Sequence, residues 1–186
     1  MKPGKLGHAM LDLETLSLKP DSMILSAGIV AFCPELGVGP GIEVVFDLEQ
    51  QIGRHIDADT VSWWVQQTQE ARQVFISKRV PVNTGLFLIT NFIHDWTTGP
   101  ETVQFWGNGS DFDNVLFANF WHWASRKFGI GAQPWNGKNN RCFRTLKNLR
   151  PGFREIMDKP RKIWHNALDD ARWQAECAVE MLRQIK

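Results

Sequence analysis

Near its start the chain carries an apolar run that ends in two acids one residue apart, Met10-Leu11-Asp12-Leu13-Glu14-Thr15. An extended strand projects residues i and i+2 from the same face. Asp12 and Glu14 therefore stand together, while Leu11 and Leu13 face the other way. Like charges at that range raise each other's pKa, and a cation between them relieves the repulsion. The segment reads as a strand with one greasy face and one face built to hold a divalent metal. Two later clusters, Asp111-Phe112-Asp113 and His165-Asn166-Ala167-Leu168-Asp169-Asp170, supply the ligands that a single pair lacks. Together they predict a two-metal site of the kind that cleaves phosphodiesters.

The remaining composition limits the alternatives. With 186 residues, 43% of them apolar and 22% charged, the chain predicts one soluble globular domain with a substantial core. The longest greasy stretch, Met23 to Cys33, is interrupted by Ser26 and Gly28 and is too short to span a bilayer. No apolar segment follows the charged start, so a cytoplasmic protein without membrane contact is expected. Cys33, Cys142 and Cys177 are odd in number and far apart, which suits reduced packing thiols rather than a disulfide framework or a zinc site. No phosphate-loop signature occurs, and Gly107-Asn108-Gly109 is only a common turn pattern.

Charge is unevenly spread. Between Arg126 and Lys162 eleven Lys or Arg residues face only Glu155 and Asp158, a local excess of +9 in a chain whose formal net charge is +1. A basic segment beside an acidic metal site suits a nucleic-acid substrate, because Lys and Arg neutralise the phosphate backbone. Without the carboxylates the same run would read as a solvated basic face.

Gly7 to Glu14, Met23 to Cys33 and Ile42 to Leu48 predict three strands in an antiparallel meander, with the Gly- and Pro-rich stretch Pro34 to Gly41 as a turn. Apolar spacing predicts helices over Thr60 to Ser77 and Asn83 to Trp96. A short strand over Thr102 to Trp106, a helix over Asp111 to Phe128, a strand near Arg141 to Phe143 and a helical stretch around Leu146 follow. The last helix, Asn166 to Ile185, aligns Ala167, Ala171, Ala175, Ala178 and Leu182 on one side. This order predicts an α/β fold, a mixed β-sheet with helices on both faces. Ligands in such sheets gather where strand ends meet helix starts.

Asp12-Leu13-Glu14-Thr15, the segment Trp106-Gly107-Asn108-Gly109-Ser110-Asp111-Phe112-Asp113-Asn114, and His165 followed five positions later by Asp170 resemble the three motifs of the DEDDh 3′-to-5′ exonucleases. These belong to the ribonuclease-H-like superfamily, with proofreading exonucleases, RNase T and oligoribonuclease. Thr60-Val61-Ser62-Trp63-Trp64 and His165 to Arg172 further resemble a compact branch containing phage and prophage exonucleases of the exonuclease VIII type and mycobacterial 3′-to-5′ exoribonucleases.

The resemblance implies a ribonuclease-H-like fold and two Mg²⁺ or Mn²⁺ ions held by Asp12, Glu14, Asp113 and Asp170, with Asp12 bridging them. Asp113 is favoured over Asp111 by its place after Phe112, and Asp170 over Asp169 by its spacing from His165. His165 would be the general base, a role suited to a group that titrates near neutral pH. The tyrosine subclass is excluded because the chain contains no Tyr. The expected reaction is hydrolysis from 3′ ends to nucleoside 5′-monophosphates, with DNA first and RNA second. The expected partner is single-stranded or 3′-overhang nucleic acid, and the expected assembly is a monomer or a homodimer. A small-nucleotide phosphohydrolase would leave the basic segment unexplained, and a non-catalytic binding module would normally have lost a ligand or the His.

Trp121, Trp123 and Trp173 fall within predicted helices and read as core. Trp63 and Trp64 are adjacent, about 100° apart on a helix, so one of them is free to stack on a terminal base. Arg141, Arg144 and Lys147 are candidate backbone contacts, and Asn108 and Asn114 candidate orienters of the second motif.

Overall fold

A computed structural model describes residues 5–149 and 164–185. Its sheet has five strands: β1 (His8–Thr15), β2 (Ile24–Cys33), β3 (Gly37–Val45), β4 (Gln104–Gly107) and β5 (Asn140–Cys142), in the order β3-β2-β1-β4-β5. β1, β2 and β3 form the expected antiparallel meander, and β4 and β5 add in parallel on the other side. The helices are α1 (Ala58–Val65), α2 (Val82–Trp96), α3 (Asp113–Phe128), α4 (Phe143–Asn148) and α5 (Ala167–Arg183).

Alternation along β1 sorts the two layers. Ala9, Leu11 and Leu13 join Ile29, Ala31 and Val44 in a core covered by α2 and α3, through Leu86, Ile89, Phe117 and Phe120. Met10 faces the opposite side, where Val30, Phe32 and Trp106 pack against Ala171, Ala175 and Ala178 of α5. The expected alanine stripe is thus the face α5 lays on the sheet. Asp12 and Glu14 continue the Met10 row, so the face α5 covers is the one that carries the acids.

Two boundaries differ from the sequence reading. β3 begins at Gly37 rather than Ile42, and the turn shrinks to residues 34–36. Pro40 is tolerated because β3 is an edge strand, where a missing N–H need not break a ladder. Gly41 lies directly beneath α5, since a Cβ there would sit 2.7 Å from Leu168 Cδ1. Gly39 and Gly41, which read as part of a turn, instead leave room for Leu6 and Leu168, while Gly37 takes a positive φ of 89° with nothing packed against it. The helix expected over Thr60 to Ser77 breaks after Val65 and resumes as a 3-10 turn at Ala71–Phe75, where Thr68 Oγ1 accepts the Ala71 N–H. The break lets Trp64 and Phe75 meet edge to face with ring centroids 5.3 Å apart, over Leu16, Met23 and Leu25.

Cys33, Cys142 and Cys177 form no disulfide among the described residues. Among the described residues no helix is long and apolar enough to cross a membrane.

Gly28 fixes how α5 meets the sheet. It pairs with Asp12 across β1 and β2. A Cβ at this position would fall 2.2 Å from the Ala167 carbonyl carbon and 2.4 Å from the Leu168 nitrogen. Both are backbone atoms at the start of α5 and cannot swing aside. Gly28→Ala is expected to destabilise the protein by about 1–3 kcal/mol, the usual cost of overpacking, and to displace the start of α5. Urea unfolding measures the first effect, and an unchanged midpoint would mean that helix and sheet have slack.

Candidate active site

Four segments converge at the C-terminal end of β1. β1 itself supplies Asp12 and Glu14. β4 runs parallel to β1, so the loop after it arrives at the same end and delivers Asn108 and then Asp113, the first residue of α3. The start of α5 delivers His165, Asn166 and Asp170. Helix α1 contributes Trp63 and Trp64 from above. The result is a cleft of about 730 Å³ whose wall includes Asp12, Glu14, Asn108, Trp63, His165 and Asp170.

Glu14, His165 and Asp170 each present one ligand atom, all within 4.8 Å of one another. Glu14 and Asp170 are buried and Asp12 half-buried. Asp113, only 1% exposed, accepts the Asn108 N–H at 2.6 Å and the Leu13 N–H at 3.2 Å. It is locked to both parallel strands beside Asp12, while Asp111 is exposed. Asp113 lies behind the cleft wall, whereas Asp170 lines the cleft and accepts the His165 N–H at 3.0 Å; Asp169 does not line it.

The crowding has an electrostatic signature. Burial pushes Asp12 and Glu14 well above the usual carboxylate range, and the neighbouring acids push them further. Burial also lifts Asp113 to about 6, against the opposing pull of its backbone hydrogen bonds. The α5 N-terminus points partial positive charge at Asp170. That partial charge does not neutralise three further carboxylates. Hard oxygen donors with one imidazole suit Mg²⁺ or Mn²⁺, so the residues fit such cations.

His165 has φ of 60°, the one described non-glycine residue with positive φ. Such a backbone is uncommon and tends to mark functional sites. It is held from both sides: its N–H bonds Asp170, and the next residue, Asn166, donates from Nδ2 to Glu43 Oε1 at 3.1 Å while its Oδ1 caps α5 through the Asp169 N–H. Its ring meets Trp63 edge-on, with centroids 4.8 Å apart.

The two tryptophans divide. Trp64 is 2% exposed and donates its indole N–H to the Thr15 carbonyl at 2.9 Å, so it has no face left for a base. Its expected stacking role is corrected to that of a prop under the end of β1. Trp63 is 40% exposed and keeps a free face in the cleft. Trp121 and Trp173 are buried and Trp123 packs against the core, as expected.

The basic candidates are less central. Arg141 bonds the carbonyls of Asn140 and Lys138 in its own turn and does not line the cleft, because β5 is the far edge strand. Arg144 donates to the Asn108 carbonyl at 2.9 Å and so braces a residue that does line it. Lys147 stands over the Phe143 ring. Asn114 ties β4 to β5 through the Phe105 and Arg141 carbonyls. Arg150, Arg154, Lys159, Arg161 and Lys162 of the basic segment lie outside the described residues.

Sequence reasoning missed Gln174 and Gly28. Gln174 follows Asp170 by four positions, one turn along the same helix face, and that spacing was the available signal. Gly28 gave no signal until its pairing with Asp12 was known.

With this geometry in view, the protein is an α/β fold of a mixed sheet flanked by helices, with an acidic cleft at one end of β1. A family model described as the Rv2179c-like 3′-5′ exoribonuclease domain matches residues 7–182, and the chain belongs to that family. An exodeoxyribonuclease of Enterobacteria phage T4 is 28% identical over 133 residues, covering 65% of this chain. The chain spans 58% of that relative's length. The crystal structure of a full-length 3′-exonuclease superposes with a TM-score of 0.53 at 13% identity, over 97% of this chain and 83% of the other, and is similar in fold.

The raised Asp113 value makes a prediction about pH. A carboxyl whose pKa rises on folding binds its proton more tightly in the native state, so its contribution to stability is full below the ordinary value near 4 and disappears as pH climbs through about 6. Metal-free protein should therefore melt lower at pH 7.5 than at pH 5. Mn²⁺ should raise the melting temperature more at pH 7.5, since a ligand at a hundred times its Kd adds about 2.7 kcal/mol. Thermal scans with and without chelator test this, and equal Mn²⁺ shifts at both pH values would contradict it.

Proposed function

We propose that the protein is a metal-dependent 3′-to-5′ exonuclease of the ribonuclease-H-like DEDDh type, releasing nucleoside 5′-monophosphates. The observation that carries this reading is the convergence of Glu14, His165 and Asp170 within 4.8 Å, beside Asp12, in a cleft walled by an exposed tryptophan. Family membership supports the same reading.

Asp12, Glu14, Asp113 and Asp170 would hold two Mg²⁺ or Mn²⁺ ions. When bound, such a pair would lower the pKa of an attacking water and stabilise the leaving 3′ oxygen. His165 would accept a proton from that water on a ring nitrogen, with the hydrogen bonds of its own N–H and of Asn166 fixing its backbone. Trp63 offers its face to the terminal base, and Leu18, exposed on the same cleft, supplies apolar surface beside it. Asn108, held by Arg144, borders the path of the backbone. Base stacking of this kind tolerates any sequence, so little base preference is expected.

DNA is the favoured substrate, on the strength of the phage relative named as an exodeoxyribonuclease. RNA is the second reading, favoured by the description of the family. The substrate would be single-stranded or carry a 3′ overhang, and the enzyme would work as a monomer or homodimer.

End-labelled DNA and RNA of matched length, incubated with Mg²⁺ or Mn²⁺, should shorten from the 3′ end and be inert in excess chelator. Asp12→Asn should abolish turnover, and His165→Ala should lower it by about 100-fold or more, since a general base contributes 10²- to 10⁴-fold. Asp111→Asn and Asp169→Asn should stay near wild type. Efficient cutting of circular single strands would sink the exonuclease reading, because a circle has no 3′ end.

The tryptophans separate in a second experiment. Trp63→Ala should weaken nucleic-acid binding by about 1–3 kcal/mol with little change in melting temperature. Trp64→Ala should do the reverse by emptying a core position. Filter binding and thermal melting distinguish them, and a large stability loss for Trp63→Ala would remove it from the substrate site.

A further inference from the structure

Gln174 is 2% exposed, yet it lines the cleft rather than the apolar seam beneath α5. Its Nε2 donates to Asp12 Oδ1 at 2.7 Å. Its carbonyl oxygen Oε1 is sealed from solvent and has no hydrogen-bond partner among the described residues. With a cation bound, Asp12 is ionised and only accepts, so the NH₂ end of the amide faces it, as it does in this structure. Folded proteins seldom leave a buried amide oxygen unpaired. Ala171, Ala175 and Ala178 on the same helix show that an apolar side chain packs readily against this part of the sheet. A glutamine kept here despite an unpaired buried oxygen is kept for the bond it makes to Asp12.

We propose that Gln174 is a positioning residue for the metal centre. Through Nε2–H it fixes the orientation of Asp12, and it does so while leaving its own Oε1 buried without a partner among the described residues. This rests on the metal-dependent reading above. Mg²⁺ and Mn²⁺ favour oxygen ligands in a set geometry. An amide that holds the carboxylate in place therefore strengthens binding without becoming a ligand. Partners of this outer kind typically change metal affinity 10- to 100-fold.

The test is calorimetric titration of Mn²⁺ into the full chain as wild type, Gln174→Met and Gln174→Leu, with melting temperatures of each metal-free protein and activity over a Mn²⁺ series. Met preserves length and volume, and Leu guards against a local packing fault with Met. Both variants are expected to fold with metal-free melting temperatures at or above wild type and to bind Mn²⁺ 10- to 100-fold more weakly. Their kcat should recover at saturating Mn²⁺. Wild-type Mn²⁺ affinity in both variants would overturn the proposal, as would a lowered melting temperature with unchanged affinity, the mark of a purely packing role. If wild type bound no Mn²⁺, this inference and the metal-dependent reading would both fall. The wild-type titration alone distinguishes that outcome.

Discussion

The start of helix α5 lies against β2 with no side chain between them, at Gly28. Much of the cleft depends on that contact. β2 pairs Gly28 with Asp12 and Ser26 with Glu14, so bringing the Ala167 backbone down onto Gly28 sets the helix start alongside the acids of β1. From there Asp170 and Gln174, one turn apart, reach the cleft, and His165, just before the helix, is turned back over it. A side chain at position 28 would lift all three together. The glycine therefore matters through where it lets the helix sit, and no hydrogen bond or charge could replace that closeness.

The second dependence is electrostatic, and it opposes the first. Packing α5 against the sheet buries the acids, and burial disfavours their charged forms. Backbone N–H groups from Leu13 and Asn108 offset this for Asp113, and the α5 N-terminus offsets part of it for Asp170. Glu14 has Glu43 as a further acidic neighbour. The fold thus concentrates more negative charge than its own dipoles compensate. An arrangement with only structural duties would be better served by apolar or neutral residues at these positions, as the Met10 and Val30 side of the same strands shows.

The meander of β1 to β3, the mixed sheet and the existence of α5 were legible because their signals are local: apolar, strand-forming runs in the first strands and a small-residue stripe in α5. The acids were legible because two carboxylates at i and i+2 are costly enough to demand a reason. Other features were not. The glycines at 39 and 41 carry the same composition as a turn, and only the overlying Leu6 and Leu168 reveal a strand. Trp63 and Trp64 are chemically identical, and their division depends on which one finds the Thr15 carbonyl. Arg141 looked like a phosphate contact because charge was visible and position was not. Gln174 was overlooked because a glutamine in a helix has no distinctive pattern until its partner is known.

The same division bears on how the proposed substrate, a nucleic-acid strand end, would be met. The residues that read as chemistry, Asp12, Glu14, His165 and Asp170, sit on or beside elements braced by backbone hydrogen bonds and by α5. The surfaces available to a base, Trp63 and Leu18, sit on a short helix and an exposed loop around the cleft mouth. Rigid chemistry within an adaptable rim suits a substrate whose reacting group is constant and whose bases vary. In the proposed reaction the phosphodiester would be the same at every step, so its ligands could be fixed to within hydrogen-bond tolerance. The base would change from one step to the next, so an apolar face such as that of Trp63 would meet it better than matched donors and acceptors.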